Sequence, residues 1–151
     1  PQGCEVANHT HDHKYISKLS ADGIISQIGS TNQKIEAICG VSPVLMRPPG
    51  GYIDTRSLSV VGNMGMSAIM WSIDTRDWQH RNAQRTIDTV LSQVKDGDII
   101  LMHDIYSTTA DAAVVLIPEL TARGYQLVTV SELAAYRGGI APGHKYSQFR
   151  P

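Results

Sequence analysis

The chain has 151 residues, of which 42% are hydrophobic and 18% are charged, values that are typical of one globular domain with its own core. The formal net charge of -1 gives no indication of a chain that binds nucleic acid or anionic lipid. Two cysteines, Cys4 and Cys39, are too few for a disulfide framework, and apolar runs such as residues 99–102 are too short to span a bilayer. We therefore expect one domain over residues 1–151, with no nucleic-acid partner and no membrane span.

The first half of the chain predicts short strands that alternate with helices. Residues 4–7 favour a short strand that leads into three histidines. A helix capped by Ser20 follows; it carries isoleucines at helical spacing, can break near Gly29 and stops at Gly40. The next predicted elements are a strand over 44–46, a short helix capped by Thr55 that runs through Val61, and a strand over 67–71.

The second half continues the same alternation. Residues 98–102 are nearly all apolar, which is typical of a strand buried on both faces. The other predicted elements are a helix capped by Asn82 and ended by the turn at 96–97, a helix from about Thr109 to Arg123 that stops at Gly124, a strand over 126–130, and a helix capped by Ser131 that runs through Tyr136. Five β-α units in a row imply a parallel sheet, because each crossover is long enough to hold a helix.

Polar side chains follow four of the predicted strands. In chain order they are His9, His11 and His13, then Arg47, then the segment 74–78, then His103. Active sites of parallel α/β proteins form at the carboxyl ends of the strands. Each cluster alone could be an ordinary loop, a surface turn, a helix cap or a core histidine, but four of them at one edge favour an active site.

The histidine cluster predicts a metal site. His9 and His13 are four residues apart, and on a helical turn this spacing would point both imidazoles the same way, as a metal ion requires. His11 would point elsewhere, and Thr10 could cap the turn or support a ligand. The alternative is a solvated loop that happens to hold histidines.

The other clusters suit acyl-group hydrolysis. Arg47, at a strand end, can orient a carboxylate through two hydrogen bonds, and the glycines that follow, beginning with Gly50, let a backbone N–H approach a substrate as an oxyanion donor. His103 emerges from an apolar strand and is a natural general acid, whose tautomer a neighbouring aspartate would hold.

The combination of motifs resembles a known family. The motifs are His-Thr-x-x-His at 9–13, Arg-Pro-Pro-Gly at 47–50, Asp-x-x-Asp-Trp at 74–78 and Leu-x-His at 101–103. In this order they resemble the polysaccharide deacetylases of the NodB-homology type, carbohydrate esterase family 4. The resemblance implies metal-dependent deacetylation of a polysaccharide outside the cell or at its surface. Peptidoglycan is the first choice of substrate, with chitin oligomers or acetylxylan as alternatives.

The resemblance also implies a fold and a set of residue roles. The fold is α/β, a distorted and incomplete (β/α) barrel. The divalent metal, zinc first and cobalt or nickel otherwise, would be held by His9 and His13. The remaining roles are Arg47 as the residue that orients the catalytic base, Asp77 as the partner that tunes the general acid His103, Gly50 as the backbone oxyanion donor, and Trp78 and Leu101 as walls of the acetyl pocket.

One family motif is missing from this sequence. The family carries an Asp-Asp pair near its first strand as catalytic base and third metal ligand, and no Asp-Asp pair occurs here. We expect an upstream segment of the same protein to carry this pair on one or two additional strands and to associate with the chain; otherwise Asp12 or Asp77 is the first candidate for the third ligand. The rival hypothesis is a non-catalytic metal- or carbohydrate-binding relative. A metalloprotease is disfavoured because no His-Glu-x-x-His motif is present.

Overall fold

The computed structural model describes residues 3–151, which form two compact units. The first unit contains the chain up to Met70 together with Gly138–Tyr146, and the second contains Trp71–Arg137 together with Ser147–Pro151. Both units combine helices with short parallel strands, so the fold is α/β as predicted. No helix within residues 3–151 has the length and apolar character needed to cross a membrane.

The first unit is built on a three-stranded parallel sheet. Its elements are the helices α1 (Ala21–Cys39) and α2 (Thr55–Asn63) and the strands β1 (Leu45–Met46), β2 (Ser67–Ile69) and β5 (Lys145–Tyr146). The strand order is β1-β2-β5, with Leu45 opposite Ser67 and Ala68 opposite Lys145. The parallel arrangement predicted from the β-α alternation is therefore confirmed for these strands.

Helix α1 covers one side of the core of the first unit. The Ser20 hydroxyl accepts the Gly23 N–H, and Gly40 ends the helix in the left-handed conformation, so both predicted ends are confirmed. The predicted break near Gly29 is wrong, because α1 is continuous across it. The helix buries Ile24 and Ile28 on one face. They pack in a cluster with Ile16, Met46, Val61, Met66 and Ala68.

The second unit holds a two-stranded parallel sheet and four helices. The elements are β3 (Ile73–Asp74), β4 (Ile100–Leu101), α3 (Asp77–His80), α4 (Ala83–Gln93), α5 (Ser107–Ala122) and α6 (Val130–Ala135). The core lies between α4 and α5, where Ile87 and Val90 pack against Ala112, Leu116 and Leu120. The predicted cap of α4 is confirmed, since the Asn82 side chain accepts the Arg85 N–H.

Two predicted helix caps are wrong by one or two residues. Asp54, not Thr55, caps α2, and its carboxylate accepts the Ser57 N–H. Thr129, not Ser131, caps α6 together with Glu132. In both cases a capping box decides the start, because the side chain three residues into the helix bonds back to the cap.

Two predicted strands are absent from the described residues. Segments 4–7 and 126–130 are not paired strands; Asn8 forms only a single bridge to Met46, and Leu127 and Val128 are exposed. Apolar alternation makes a strand only where a neighbouring strand accepts its backbone hydrogen bonds, and these residues have none in the described chain. The strand at 98–102 is also shorter than predicted. Leu101 is the only buried residue of this segment, and β4 pairs with β3 alone within the described residues.

Candidate functional site

The histidines of the first unit lie in a loop rather than on a helical turn. The rings of His9 and His13 are edge to face, with 4.9 Å between their centroids. The helical turn that we expected is wrong, since Thr10 (φ 64) and His13 (φ 55) are left-handed. The two imidazoles are nevertheless neighbours, because two left-handed residues turn the chain back sharply over this short span.

The buried side chain of Asn8 builds this loop. Its amide group donates to the Ile28 carbonyl at 2.9 Å and to Asn32 Oδ1 at 2.7 Å, both on α1. Its Oδ1 accepts the Thr10 N–H at 2.7 Å, which closes a turn of the kind that Asn favours. The Thr10 hydroxyl, which we expected either to cap the turn or to support a ligand, has no hydrogen-bond partner among residues 3–151 and so does not cap the turn. Sequence reasoning missed Asn8, although an asparagine directly before the first histidine was a usable signal.

The backbone of Arg47 determines the tautomer of His9. His9 Nδ1 makes a short hydrogen bond to the Arg47 carbonyl oxygen, and a carbonyl can only accept, so Nδ1 carries the proton. His9 Nε2 therefore keeps the lone pair that a metal ion needs. The Arg47 N–H in turn donates to the Asn8 carbonyl at 2.8 Å. The donor set of His9 and His13 fits two ligand positions of a zinc-type site.

The other polar side chains of the loop are engaged by α1. The Asp12 carboxylate accepts a hydrogen bond from Gln27 at 2.9 Å, which is the main cause that lowers the pKa of Asp12. His11 is exposed and its Nε2 lies 3.3 Å from Lys34 Nζ, away from the other two rings as predicted. Within residues 3–151, no three His, Cys, Asp or Glu side chains are grouped so as to hold a metal ion.

Gly50 lies in a tight turn over Pro49–Gly51. It is left-handed (φ 62), and a Cβ at this position would lie 2.8 Å from the ring of Tyr52 and 3.2 Å from the ring of Tyr15. The turn therefore requires glycine at position 50 on both conformational and steric grounds. Hydrogen bonds of the turn use the N–H groups of Gly51 and Tyr52, whereas the Gly50 N–H forms none within the described residues.

Asp77 and His103 form the centre of the site residues in the second unit. Asp77 is 1% exposed. Its carboxylate accepts three hydrogen bonds: from His103 Nδ1 at 2.8 Å, from the His103 backbone N–H at 2.6 Å and from the Thr109 hydroxyl at 2.8 Å. Burial raises the pKa of the Asp77 carboxyl, but these hydrogen bonds together lower it by more, so the net shift is downward. Asp77 is therefore ionised at neutral pH.

The ionised Asp77 in turn orients the His103 ring. A carboxylate can only accept, so His103 Nδ1 carries a proton and Nε2 is the atom left for a substrate. The His103 side chain is 24% exposed, while its aspartate partner is buried. The arrangement leaves His103 Nε2 able to give or accept a proton from a group that binds next to it. Sequence reasoning missed Thr109, because no local pattern links residue 109 to residue 77.

The remaining predicted residues of this unit lie on the elements beside Asp77. Trp78 follows it in α3 and is 49% exposed. Leu101 is buried in β4, and its carbonyl accepts the Thr75 hydroxyl at 2.8 Å. The structure thus brings Asp77 and His103 into direct contact and groups His9, His13, Arg47 and Gly50 along two neighbouring loops of the first unit.

Backbone strain is concentrated at these same segments. Thr10, His13, Arg76 and Arg81 are the non-glycine residues with positive φ within residues 3–151. Two lie in the histidine loop and two flank α3, which begins with Asp77. Non-glycine residues in this conformation are uncommon and gather at functional sites, where surrounding contacts hold them. Strain therefore identifies both segments independently of any motif.

Comparisons with known proteins agree with the motifs. The polysaccharide deacetylase family profile matches residues 1–69. A peptidoglycan-N-acetylmuramic acid deacetylase of Bacillus subtilis is 45% identical over 132 residues. That match covers 87% of this chain but only 28% of the relative, so the chain spans little more than a quarter of that protein.

Solved structures give the same result. A T48 deacetylase with substrate is 36% identical and matches with a TM-score of 0.89 over 95% of this chain and 70% of that one. A family 4 acetyl xylan esterase from Clostridium thermocellum, in complex with a cobalt ion, is 28% identical, with a TM-score of 0.88 over 97% of this chain and 73% of that one. A CE4 family pseudoenzyme from Bacillus anthracis is also 28% identical, with a TM-score of 0.80 over 95% of this chain and 48% of that one. The chain therefore belongs to the polysaccharide deacetylase family, carbohydrate esterase family 4.

Proposed function

We propose that residues 1–151 are the larger, C-terminal part of a catalytic domain that removes acetyl groups from an N-acetylated polysaccharide. The observation that carries this proposal is the His103–Asp77 pair, in which a buried, ionised carboxylate holds the ring of a partly exposed histidine. The domain would be a distorted, incomplete (β/α) barrel. It would act outside the cell or at the cell surface, where such polymers are found.

The metal of the proposed enzyme would be held by His9 and His13. A bound divalent ion would supply Lewis-acid polarisation of the scissile carbonyl and a water that ionises near neutral pH. Zinc is the first choice because it prefers imidazole ligands, with cobalt or nickel as alternatives. Two neutral imidazoles give neither the charge nor the coordination number of a stable site, so activity would require an associated Asp-Asp segment of the same protein.

His103 would act as the general acid. Amide hydrolysis requires a proton on the departing amine nitrogen, and His103 Nε2 can deliver one while Nδ1 remains bonded to Asp77. The Asp77 carboxylate stabilises the protonated ring before the transfer and keeps it oriented afterwards. Asp77 is thus a positioning residue, and His103 is the group that contacts the reacting nitrogen.

The other predicted residues would orient and enclose the acetyl group. The Gly50 N–H, which is free of bonds in the described chain, would donate to the developing oxyanion. The Arg47 side chain would orient the catalytic base. Trp78 and Leu101 would form apolar walls around the acetyl methyl group.

Cell-wall peptidoglycan is the proposed substrate, because the Bacillus subtilis relative is named for that polymer. Acetate release on peptidoglycan, chitin oligomers and acetylxylan tests the choice, with the Asp-Asp segment supplied by co-expression. His103→Ala should lower turnover by about 100-fold or more, as expected for loss of a general acid. His144→Ala, an exposed histidine of the first unit, is the matched control and should retain activity.

Metal content separates the two histidine roles in the same assay. His103→Ala should bind as much metal as the unmodified protein, and loss of metal in that variant would contradict the assignment of His103 as an acid. Activity on acetylxylan alone would overturn the choice of substrate.

A non-catalytic relative remains the second candidate, and the Bacillus anthracis pseudoenzyme is the observation that favours it. In that case the protein with its Asp-Asp segment would bind the glycan and release no acetate from any of the three polymers.

A further inference from the structure

We propose that Arg81, stacked on Tyr106, binds a carboxylate of the glycan substrate beside the His103–Asp77 pair. The inference rests on the proposed function, because the carboxylate belongs to the polymer that is deacetylated. It adds a specificity-determining residue and restricts the substrate to an acidic glycan.

Main-chain hydrogen bonds connect both residues to the pair. The Arg81 N–H donates to the Asp77 carbonyl at 2.8 Å, and the Tyr106 N–H donates to the His103 carbonyl at 3.3 Å. The Arg81 guanidinium carbon lies 4.7 Å from the centroid of the Tyr106 ring. The stacked pair is therefore anchored to the same two residues that carry the proposed acid chemistry.

The charge of Arg81 is not neutralised within the described chain. Three other arginines of the second unit have carboxylate partners: Arg123 pairs with Glu119, Arg137 with Asp96 and Arg150 with Asp98. Like Arg81, Arg76 and Arg85 are in no ion pair within residues 3–151, but only Arg81 contacts an aromatic ring there. No ion pair within residues 3–151 includes Arg81, and the residue is exposed. A guanidinium that stacks on an aromatic ring leaves its N–H groups in the plane parallel to the ring, where they can bind both oxygens of a carboxylate.

The backbone of Arg81 argues against a purely structural role. The residue ends α3 in the left-handed conformation with φ 45, a position where glycine or asparagine would carry less strain. Arginine occupies this position with a left-handed backbone, and its guanidinium lies over the Tyr106 ring. Backbone strain of this kind is found at binding sites, where it holds a side chain in the position that contacts the ligand.

Only a polymer with carboxylate groups would bind to Arg81 in this way. Peptidoglycan carries carboxylates on its peptides, and on muramic acid residues from which the peptide has been removed, whereas chitin oligomers carry none. An arginine that is held in place by stacking would therefore favour peptidoglycan fragments over neutral glycans.

Equilibrium binding of two matched ligands tests the inference. The probes are a peptidoglycan oligosaccharide with free carboxylates and the same oligosaccharide with every carboxylate methyl-esterified. Arg81→Gln should raise the Kd for the free acid about tenfold, the loss expected for one charge-assisted contact, and leave the Kd for the ester unchanged. Arg81→Lys keeps the charge but loses the planar fork and should give an intermediate Kd for the free acid.

Two controls keep the test specific. Arg85→Gln, an exposed arginine on α4, should leave both Kd values unchanged. Far-ultraviolet circular dichroism and the thermal midpoint identify any variant that fails to fold, and Arg81→Lys then decides the outcome. An equal loss of affinity for acid and ester, or no binding of either probe by the unmodified protein, would overturn the inference.

The binding assay needs no turnover, so it separates this inference from the proposed function. The expected Kd pattern without acetate release would leave the carboxylate site standing and reject the deacetylase. Acetate release with equal Kd values for acid and ester would support the deacetylase and reject the carboxylate site.

Discussion

His9 has a single tautomer available because its Nδ1 proton is bonded to a main-chain carbonyl. His9 Nε2 and the adjacent ring of His13 are then the nitrogen donors available to bind a metal ion. His11, two residues from either of them, is directed to Lys34 instead. The three histidines are therefore chemically unequal although they alternate in one short segment.

Replacement of single histidines tests whether His9 and His13 bind metal and His11 does not. His9→Ala and His13→Ala should each weaken zinc binding by about tenfold or more, since each removes a ligand. His11→Ala is the matched control and should bind zinc as the unmodified protein does. Isothermal titration calorimetry with zinc, on the protein co-expressed with the proposed Asp-Asp segment, measures all three. Equal losses in the three variants would mean that the cluster binds metal without the assigned roles.

Gly50 is a second residue with a specific steric role. Gly50→Ala should lower the free energy of unfolding by about 2 to 3 kcal/mol, because a left-handed alanine would also collide with the ring of Tyr52. Gly65→Ala provides the control, since Gly65 has φ 75 and open space around it. It should cost about 1 kcal/mol from conformation alone. Urea titration gives both values, and equal costs would show that Tyr52 moves aside freely.

Single-residue predictions from the sequence succeeded where spacing was sufficient. The four-residue spacing of His9 and His13 predicted neighbouring rings, and the reason offered, a helical turn, was wrong. Asn8 and Thr109 were missed because their partners, Ile28 and Asp77, are far along the chain. The residue type of Asn8 could have indicated a turn before the histidines, but local patterns do not identify partners so far along the chain.

At the scale of elements, the start of α2 depends on one side chain. The Asp54 carboxylate accepts both the Ser57 N–H and its hydroxyl, and these bonds lower the pKa of Asp54. Asp54→Ala should lower the urea midpoint, whereas Thr55→Ala should leave it close to that of the unmodified protein. The loss should be smaller below the pKa of Asp54, where the cap is already protonated. A larger fall in the urea midpoint for Thr55→Ala would mean that Thr55 caps α2, as predicted from the sequence.

Helices were predicted more accurately than strands, and the cause is physical. The bonds of α1 and α4 lie within each helix, and their caps are local, so Ser20 and Asn82 were identified from sequence alone. A strand depends on a partner strand, which can come from any part of the chain. Thus β5, only two residues long and paired to β2 from a distant segment, was not predicted, while segment 126–130 was predicted and is not a strand.

At the scale of the whole molecule, buried carboxylates make stability depend on acid pH. Burial raises the pKa values of Asp77 and Asp98, but the hydrogen bonds that their carboxylates accept together lower these pKa values by more. Both therefore lie below the ordinary value of 3.8. Between the folded and unfolded pKa values the unfolded chain binds more protons. The stabilisation is therefore complete above 3.8 and is lost as the pH falls through the folded values.

Urea unfolding across this range tests the role of Asp77. The unmodified protein should lose stability steeply as the pH falls below 3.8. Asp77→Asn should be less stable at neutral pH and should show a flatter acid limb, because one of the titrating groups is gone. Parallel acid limbs in the two proteins would mean that Asp77 titrates normally.

The bond from His9 to the Arg47 carbonyl has an evolutionary consequence. A carbonyl belongs to the main chain, so no amino-acid replacement at position 47 removes it, whereas any replacement removes the guanidinium. Replacement of Arg47 would thus remove the orientation of the catalytic base that we propose for its side chain and leave the His9 tautomer intact. A lineage under relaxed selection could lose hydrolysis first and metal affinity much later. Descendants of such a protein would be catalytically inactive and would still bind the metal ion.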